Sequence, residues 1–550
     1  MKVVLASVGA KFSHKTLAAH CIKSYSDRFS PQCDVEIFES STNEPAGDII
    51  TALYSLKPQV LGLSTYIWNT DHIKKISGTI KKILPQCIIV LGGPEISADQ
   101  VHSEYPAADY FIYGPGEVAF SDLINLLSKG QRPKEKLIVG QNIEFESLPS
   151  PFTPSYFDSF GADKYGKTEN KLIYYESSRG CPFSCAYCLS SAQKGVAYLP
   201  LARVREELAL LVAKGAKVIK FVDRTFNLDK ERSKNILEYI ANLETDCTFH
   251  FEVAADLFDS GTLEIIRQMP PGRVQFEIGI QSTNERTLEA VNRKTDLKKA
   301  FENTKKLTAL KNSHIHLDLI AGLPFESLES FAPAISSCLE VRPHMLQLGF
   351  LKVLKNTDII KAYPEGSLLY NDWAPYEVLQ SDGMTYEDLC YLKSIERVID
   401  KFYNSGQFVN TLNFALEEVF ENGYELFSNL AEFCQGIGDI KANLKRSYTM
   451  LFDFLKPRCN FNKLAHNIHL DCLTFDPKGS LPDEISPRRD KASERELKRK
   501  PEFKRKNIRV EDLELTGEKL LFVYDEKCPI SKAYRIFKLE EKSLEVIAID

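Results

Sequence analysis

Apolar and polar positions alternate in blocks over the first 128 residues. Short apolar runs stand at Val3–Ser7, Val35–Glu39, Val60–Tyr66, Cys87–Gly93 and Tyr110–Gly114, and amphipathic or polar stretches of helical length separate them. Strand-length apolar runs alternating with helix-length segments predict parallel βαβ units. Several runs close in small residues: Ser64-Thr65, Gly92-Gly93 and Gly114-Pro115-Gly116-Glu117. A strand end without a bulky side chain serves a tight turn or lets a ligand approach the backbone, and the pattern alone permits both.

Beyond this block, residues 131–170 are rich in Pro, Gly, Ser and charge and read as a linker that wraps the next domain. A second alternation follows, with strands expected at Leu172–Ser177, Val218–Asp223, Phe249–Ala254, Val274–Gln281, Ile315–Ala321 and Leu346–Val353. Stretches of helical spacing such as Arg203–Lys214 and Leu297–Lys311 lie between them. The chain is therefore α/β. Its first 130 residues fit a five-stranded flavodoxin-like (Rossmann-type) sheet, which takes ligands beyond the carboxyl ends of its strands. Residues 171–360 fit a partial (β/α)6 barrel whose chemistry sits at the same ends. Residues 361–456 are mostly helical, 457–510 polar and basic, and 511–550 a small β-rich tail with strands at Leu520–Tyr524, Tyr534–Leu539 and Leu544–Ile549.

Length and composition leave room for several soluble domains: 550 residues, 43% hydrophobic and 26% charged. No run of eighteen apolar residues suggests a membrane span. The apolar start is too short for a signal-peptide core, so the expected location is the cytoplasm. Net charge is −6, yet residues 488–509 carry eleven Lys/Arg against four Asp/Glu, which leaves the rest at −13. Clustered cations neutralise phosphates, but a charge run is also an ordinary solvated loop, and only Phe503 is interleaved for base stacking. RNA is thus one substrate class among several left open, beside peptides, lipids and small natural products. Tyr386, Tyr391, Tyr403 and Phe414 of the helical region read as core or as a cap over the barrel.

Thirteen cysteines are mostly scattered, except Cys181, Cys185 and Cys188 in Arg179-Gly180-Cys181-Pro182-Phe183-Ser184-Cys185-Ala186-Tyr187-Cys188. Three thiolates at C-x3-C-x2-C on one loop can hold three irons of a [4Fe–4S] cube and leave the fourth open, the mark of a catalytic rather than a structural centre. A zinc knuckle needs a fourth ligand, and the next cysteine, Cys247, is far down the chain.

This segment resembles the radical S-adenosylmethionine (SAM) superfamily. The resemblance continues through Phe221–Asn227, Phe251–Leu257, Glu277–Ser282 with Asn292–Thr295, Asp318–Pro324 and Gln347–Lys352, and covers roughly residues 1–360. It implies that the open iron chelates SAM, that one electron cleaves SAM to a 5′-deoxyadenosyl radical, and that Tyr187, Glu252, Gln281 and Arg293 contact SAM. It also implies an electron donor of flavodoxin or ferredoxin type and no membrane partner.

An α/β domain ahead of such a barrel is similar to the cobalamin-dependent subclass, whose pattern Gly92-Gly93 and Gly114-x-Gly116-Glu117 match. The resemblance implies cobalamin contacts at Ser64, Thr65, Gly92, Gly93, Gly114 and Glu117. The subclass's Asp-x-His-x-x-Gly loop is absent: the first strand leads into Ser7-Val8-Gly9-Ala10-Lys11-Phe12-Ser13-His14, which leaves His14 as the candidate to approach cobalt. The implied activity is C-methylation of an unactivated carbon, in which methylcobalamin gives its methyl group to a substrate radical. The alternatives are another radical step (rearrangement, ring formation, sulfur insertion or RNA modification) or a catalytically silent binding module. A methylthiotransferase carries a second three-cysteine cluster, and Cys21, Cys33 and Cys87 are too dispersed to make one.

Overall fold

The computed structural model describes residues 1–97, 101–141, 144–161, 171–192, 195–438, 443–479, 481–485, 488–513, 517–540 and 546–548. The first apolar runs form β1 (Lys2–Gly9), β2 (Asp34–Ser41), β3 (Val60–Ser64), β4 (Ile88–Gly92) and β5 (Tyr110–Tyr113). They pair in parallel in the order β2-β1-β3-β4-β5. The central strands are buried on both faces, which explains why they read as continuous apolar runs. Helices Ala46–Leu56 and Thr70–Ile83 cover one face through Leu53, Ile73 and Ile76. Helices Ala18–Phe29 and Glu117–Ser128 cover the other through Ala19, Phe120 and Leu123.

The sheet has a sixth strand that the sequence reading placed in the linker: β6 (Leu137–Val139) pairs in parallel with β5. Three apolar residues on a sheet edge are too few to show a periodicity. Residues 145–156 of that segment pack on the barrel, with Phe145, Leu148, Phe152 and Tyr156 buried in its core.

The barrel opens with β7 (Leu172–Tyr175). A small antiparallel pair, β8 (Ser178–Gly180) and β9 (Val196–Tyr198), follows it. Next come β10 (Val218–Phe221), β11 (Thr248–Val253), β12 (Val274–Gln281), β13 (His314–Ala321) and β14 (Met345–Phe350). The six-stranded parallel sheet runs β7-β10-β11-β12-β13-β14. Side chains alternate along each strand: Phe249, Phe251, Phe276 and Ile278 pack into the core, while His250, Glu252, Glu277, Gln281 and Asp318 line the concave side.

The carboxyl ends of the two sheets face each other. The loop after β5 meets the loop after β7 through Glu117 and Arg179. The loop after β4 meets the segment after β14, where Tyr376 Oη donates to Glu95 at 2.8 Å and Asn356 Nδ2 donates to the Ile96 carbonyl at 3.1 Å. The segment after β1 pairs with the barrel edge, where Leu172 N donates to Ser13 O at 2.6 Å and Lys15 N to Leu172 O at 3.3 Å.

A short pair, β15 (Leu369–Tyr370) and β16 (Val378–Gln380), leads into the helical region. Its helices share the barrel's core through Leu392, Phe427 and Leu451. Helicity continues past the expected boundary into Phe461–Phe475, where Leu464, Ile468 and Cys472 keep helical spacing among polar neighbours. The chain ends in an antiparallel sheet of β17 (Ile508–Leu513), β18 (Glu518–Lys527), β19 (Tyr534–Leu539) and β20 (Val546–Ala548). No described helix is long and apolar enough to cross a membrane.

Candidate active site at the mouth of the partial barrel

The cysteine loop is anchored before it begins. Asp223, at the carboxyl end of β10, accepts from Ser177 N at 2.7 Å and Ser178 N at 3.1 Å. Its burial pushes its pKa up to about 6, against the pull of those hydrogen bonds. Arg179 then forks onto Glu176 at 2.9 and 2.7 Å and reaches Glu117 at 2.9 Å. Gly180 turns the chain at φ +97, a region open to glycine, and delivers Cys181.

Cys185 is buried and Cys181 and Cys188 are partly exposed; all three are free thiols. Cys188 N donates to Cys185 O at 3.1 Å, and Ala186 N to Val291 O at 2.9 Å, which fixes the loop against the segment after β12. Burial raises the Cys181 pKa, and the thiols of Cys188 and Cys185 lie close enough to raise it further. Among the described residues no three His, Cys, Asp or Glu side chains converge on a single ion. A cube asks instead for one thiolate per iron, and three free thiols on one anchored loop meet that demand.

Tyr187, Gln281 and Arg293 come together beside this loop. The Arg293 guanidinium donates to the Gly279 carbonyl and lies 3.3 Å from Tyr187 Oη. Gln281 ends β12 at φ +71, where the pairing with β13 shifts by one residue, and its amide folds over Gly279. A Cβ at Gly279 would lie 2.1 Å from that amide, so any larger residue there would push the Gln281 side chain out of this position. Gln281 Oε1 and Arg293 Nε are buried without a hydrogen-bond partner. A buried donor and acceptor left open beside a cluster loop suit the carboxylate and amino groups of an amino-acid ligand.

Glu252 belongs to a different set, a row of ionisable groups along the barrel lumen. Lys220 Nζ lies 2.9 Å from Glu277 and 3.7 Å from Glu252; His250 Nε2 lies 3.0 Å from Glu277, and His316 Nε2 3.0 Å from Asp318. Burial raises the Glu252 pKa. Burial also opposes ionisation of Glu277, but His250 and Lys220 hold it near 2. Sequence reasoning missed Lys220, His250, Glu277, His316 and Asp318 as site residues. Strict alternation along β10 to β13 was the signal that could have found them.

The first domain offers a cavity of about 140 Å³ between its sheet and the helices Ala18–Phe29 and Glu117–Ser128. Of the residues expected at cobalamin, Ser64, Gly92, Gly93 and Gly114 line it, joined by Ala19, Ile22 and Tyr66. A Cβ at Gly93 (φ +112) would meet Thr65 O at 2.5 Å, so Thr65 braces that turn and does not line the cavity. Tyr66 stacks on Trp68 with centroids 4.4 Å apart. An apolar slot with a glycine wall at the carboxyl edge suits the flat heteroaromatic tail of a corrin. His14 and Glu117, like Thr65, do not line this cavity. His14 turns to the barrel, its Nδ1 3.1 Å from Tyr174 Oη, and burial followed by Lys11 and Lys220 lowers its pKa. Glu117 is taken by Arg179. In both cases a partner on the barrel, absent from any local motif, captures the side chain.

Three family models match in succession: "B12 binding domain" over residues 1–124, "Radical SAM superfamily" over 175–338, and "Protein of unknown function (DUF4080)" over 366–523. The chain is 26% identical over 315 residues to a 2-(S-pantetheinyl)-carbapenam-3-carboxylate methyltransferase of Streptantibioticus cattleyicolor, covering 52% of this chain and 46% of that protein. It is 24% identical to the cobalamin-dependent radical SAM methyltransferase TokK of Streptomyces tokunonensis, covering 54% and 47%. The chain thus spans about half the length of these curated relatives. Its fold is similar to that of the cobalamin-dependent S-adenosylmethionine radical enzyme OxsB, with a TM-score of 0.60, 17% identity and coverage of 86% of this chain and 78% of that one.

Proposed function

The chain belongs to the radical SAM enzymes that carry a cobalamin-binding domain, and from that membership we propose that it methylates an unactivated carbon. The observation that carries the reading is the placement of two sites at facing strand ends: the glycine-walled cavity of the first domain and the cysteine loop of the barrel, tied by Glu117 and Arg179. When bound, a [4Fe–4S] cluster with SAM supplies a hydrogen-abstracting radical and cobalamin supplies the methyl group.

The protein's part is holding and shielding. Cys181, Cys185 and Cys188 hold the cluster and leave one iron free. Arg293 and Gln281 present their open donor and acceptor to the methionine end of SAM, and Arg293 keeps Tyr187 beside it. The lumen row of Lys220, Glu252 and Glu277 orients the substrate and replaces bulk water with fixed dipoles. The family requires a reductant, and we assign that role to a flavodoxin- or ferredoxin-type donor.

The test needs no known substrate. Anaerobic protein is given methyl-deuterated SAM and dithionite, with and without cobalamin. The proposal expects S-adenosylhomocysteine that depends on cobalamin, alongside 5′-deoxyadenosine. 5′-Deoxyadenosine alone at saturating cobalamin would move the reading to a rearrangement or ring-forming step.

A further inference from the structure

The basic stretch 488–509 is an ordered surface and not the loose loop that its composition suggests. Residues Lys491–Leu497 form a helix packed on the C-terminal sheet, with Leu497, Phe503 and Ile508 in a common core. The acids nearest the sheet are consumed there: Glu494 is bound by Arg489 at 2.7 and 3.0 Å, and Asp490 by Lys519 at 2.6 Å. Arg509 and Lys506 pair with Glu511 and Asp525.

What remains outward is positive. Lys491, Arg495, Lys498, Arg499, Lys504 and Arg505 are exposed, and none makes an ion pair or side-chain hydrogen bond among the described residues. Lys491, Arg495 and Lys498 follow at intervals of four and three residues, so they share one helical face and span about 10 Å along its axis. Only Glu496 and Glu502 are exposed acids in this stretch.

We propose that this face docks the phosphate backbone of a single-stranded segment of RNA. A row of unpaired cations recognises a polyanion. Phe503 is buried, so bases cannot stack on it and the contact reads phosphate without sequence. The face presents the side of a short helix and no free helix end to enter a duplex groove, whereas exposed RNA loops offer backbone that side chains can follow.

Position separates this partner from two others. Pro529 packs on Gly272 just ahead of β12, and Lys532 acts on His314 at the start of β13. The C-terminal sheet therefore sits at the amino ends of the barrel strands, about 26 Å from the mouth for an eight-residue strand. A compact acidic electron donor docked here would stand a strand length from the cysteine loop. Stable anchoring to a membrane takes a second, apolar signal beside a basic patch, and Phe503, the aromatic of this stretch, is buried. An extended polymer can hold the face and still reach the mouth. The inference does not depend on methyl transfer.

The test is fluorescence anisotropy of a labelled RNA stem-loop with the full chain, repeated with the DNA of the same sequence, a DNA duplex and phosphatidylglycerol vesicles. The expected result is binding to the RNA, matched within a few-fold by the single-stranded DNA because the contact reads phosphate, and at least tenfold weaker for the K491E/R495E/K498E variant. The slope of log K against log salt should fall by about two, as expected for three lost phosphate contacts. Glu496→Lys should strengthen binding, a gain that misfolding cannot mimic. Affinity and slope unchanged by the charge reversals, or a preference for duplex or vesicles, would overturn the proposal.

Discussion

Arg179 Nη2 lies 2.9 Å from Glu117 Oε1 and joins the glycine turn of the first domain to the residue two places ahead of the first cluster cysteine. Glu117 is only 7% exposed, while Arg179 also holds Glu176 and lies 4.8 Å from the Phe145 ring. The two partners are therefore unequally supported. Arg179→Met strands a buried carboxylate, whereas Glu117→Gln leaves Arg179 paired with Glu176.

Denaturation of the two variants should show that asymmetry. The expected loss is about 3–5 kcal/mol for Arg179→Met and about 1 kcal/mol for Glu117→Gln, with the double variant recovering part of the larger loss. Equal, additive losses would mean that the pair is not coupled.

Arg293→Lys removes the planar fork while keeping the charge. Iron content should hold, and SAM affinity should fall roughly 10–100-fold, the value of one or two charge-assisted hydrogen bonds. Equilibrium dialysis of SAM against the reconstituted protein measures this. Undiminished SAM binding would remove Arg293 from the site.

Gly92 has ordinary backbone geometry, and a Cβ there meets nothing closer than 3.8 Å, yet it lines the cavity of the first domain. Gly92→Leu should fill that cavity without distorting the turn. The expected outcome is loss of the corrin absorbance on reconstitution with iron content unchanged. Retained corrin would place cobalamin elsewhere.

Glu326 is fully buried, accepts from Ser282, and has its other oxygen unpartnered. Burial lifts its pKa to about 8, against the Ser282 bond. The folded state then holds a proton that the unfolded state releases near pH 4.5. Stability from this group is full below that pH and is lost as pH rises toward 8. Melting temperature should fall across that window, and Glu326→Gln should flatten the profile and raise the melting temperature at pH 8. A wild-type profile identical to the variant's would refute the buried neutral acid.

The two parallel sheets could be read from the sequence because their strands alternate with helices over long stretches. β6 could not, being three residues borrowed by an existing edge. The cysteine loop was legible as local spacing, and the Tyr187–Gln281–Arg293 group as a resemblance carried on three separate segments. The lumen row was half hidden: alternation marks Lys220, His250 and His316 as facing one side of their strands, but only the register between neighbouring strands shows which acids they meet. His14 and Glu117 sit in turns that look ligand-facing, but the partners that claim them, Tyr174 and Arg179, lie on another domain.

The central claim is that Cys181, Cys185 and Cys188 present an iron cube with one corner open to SAM. Its most direct test is elemental analysis of the anaerobically reconstituted chain, followed by dithionite and SAM. The account predicts about four irons per chain and 5′-deoxyadenosine as product, with both lost in Cys185→Ala. Zinc or no metal at those thiolates, or 5′-deoxyadenosine that persists in Cys185→Ala, would contradict it.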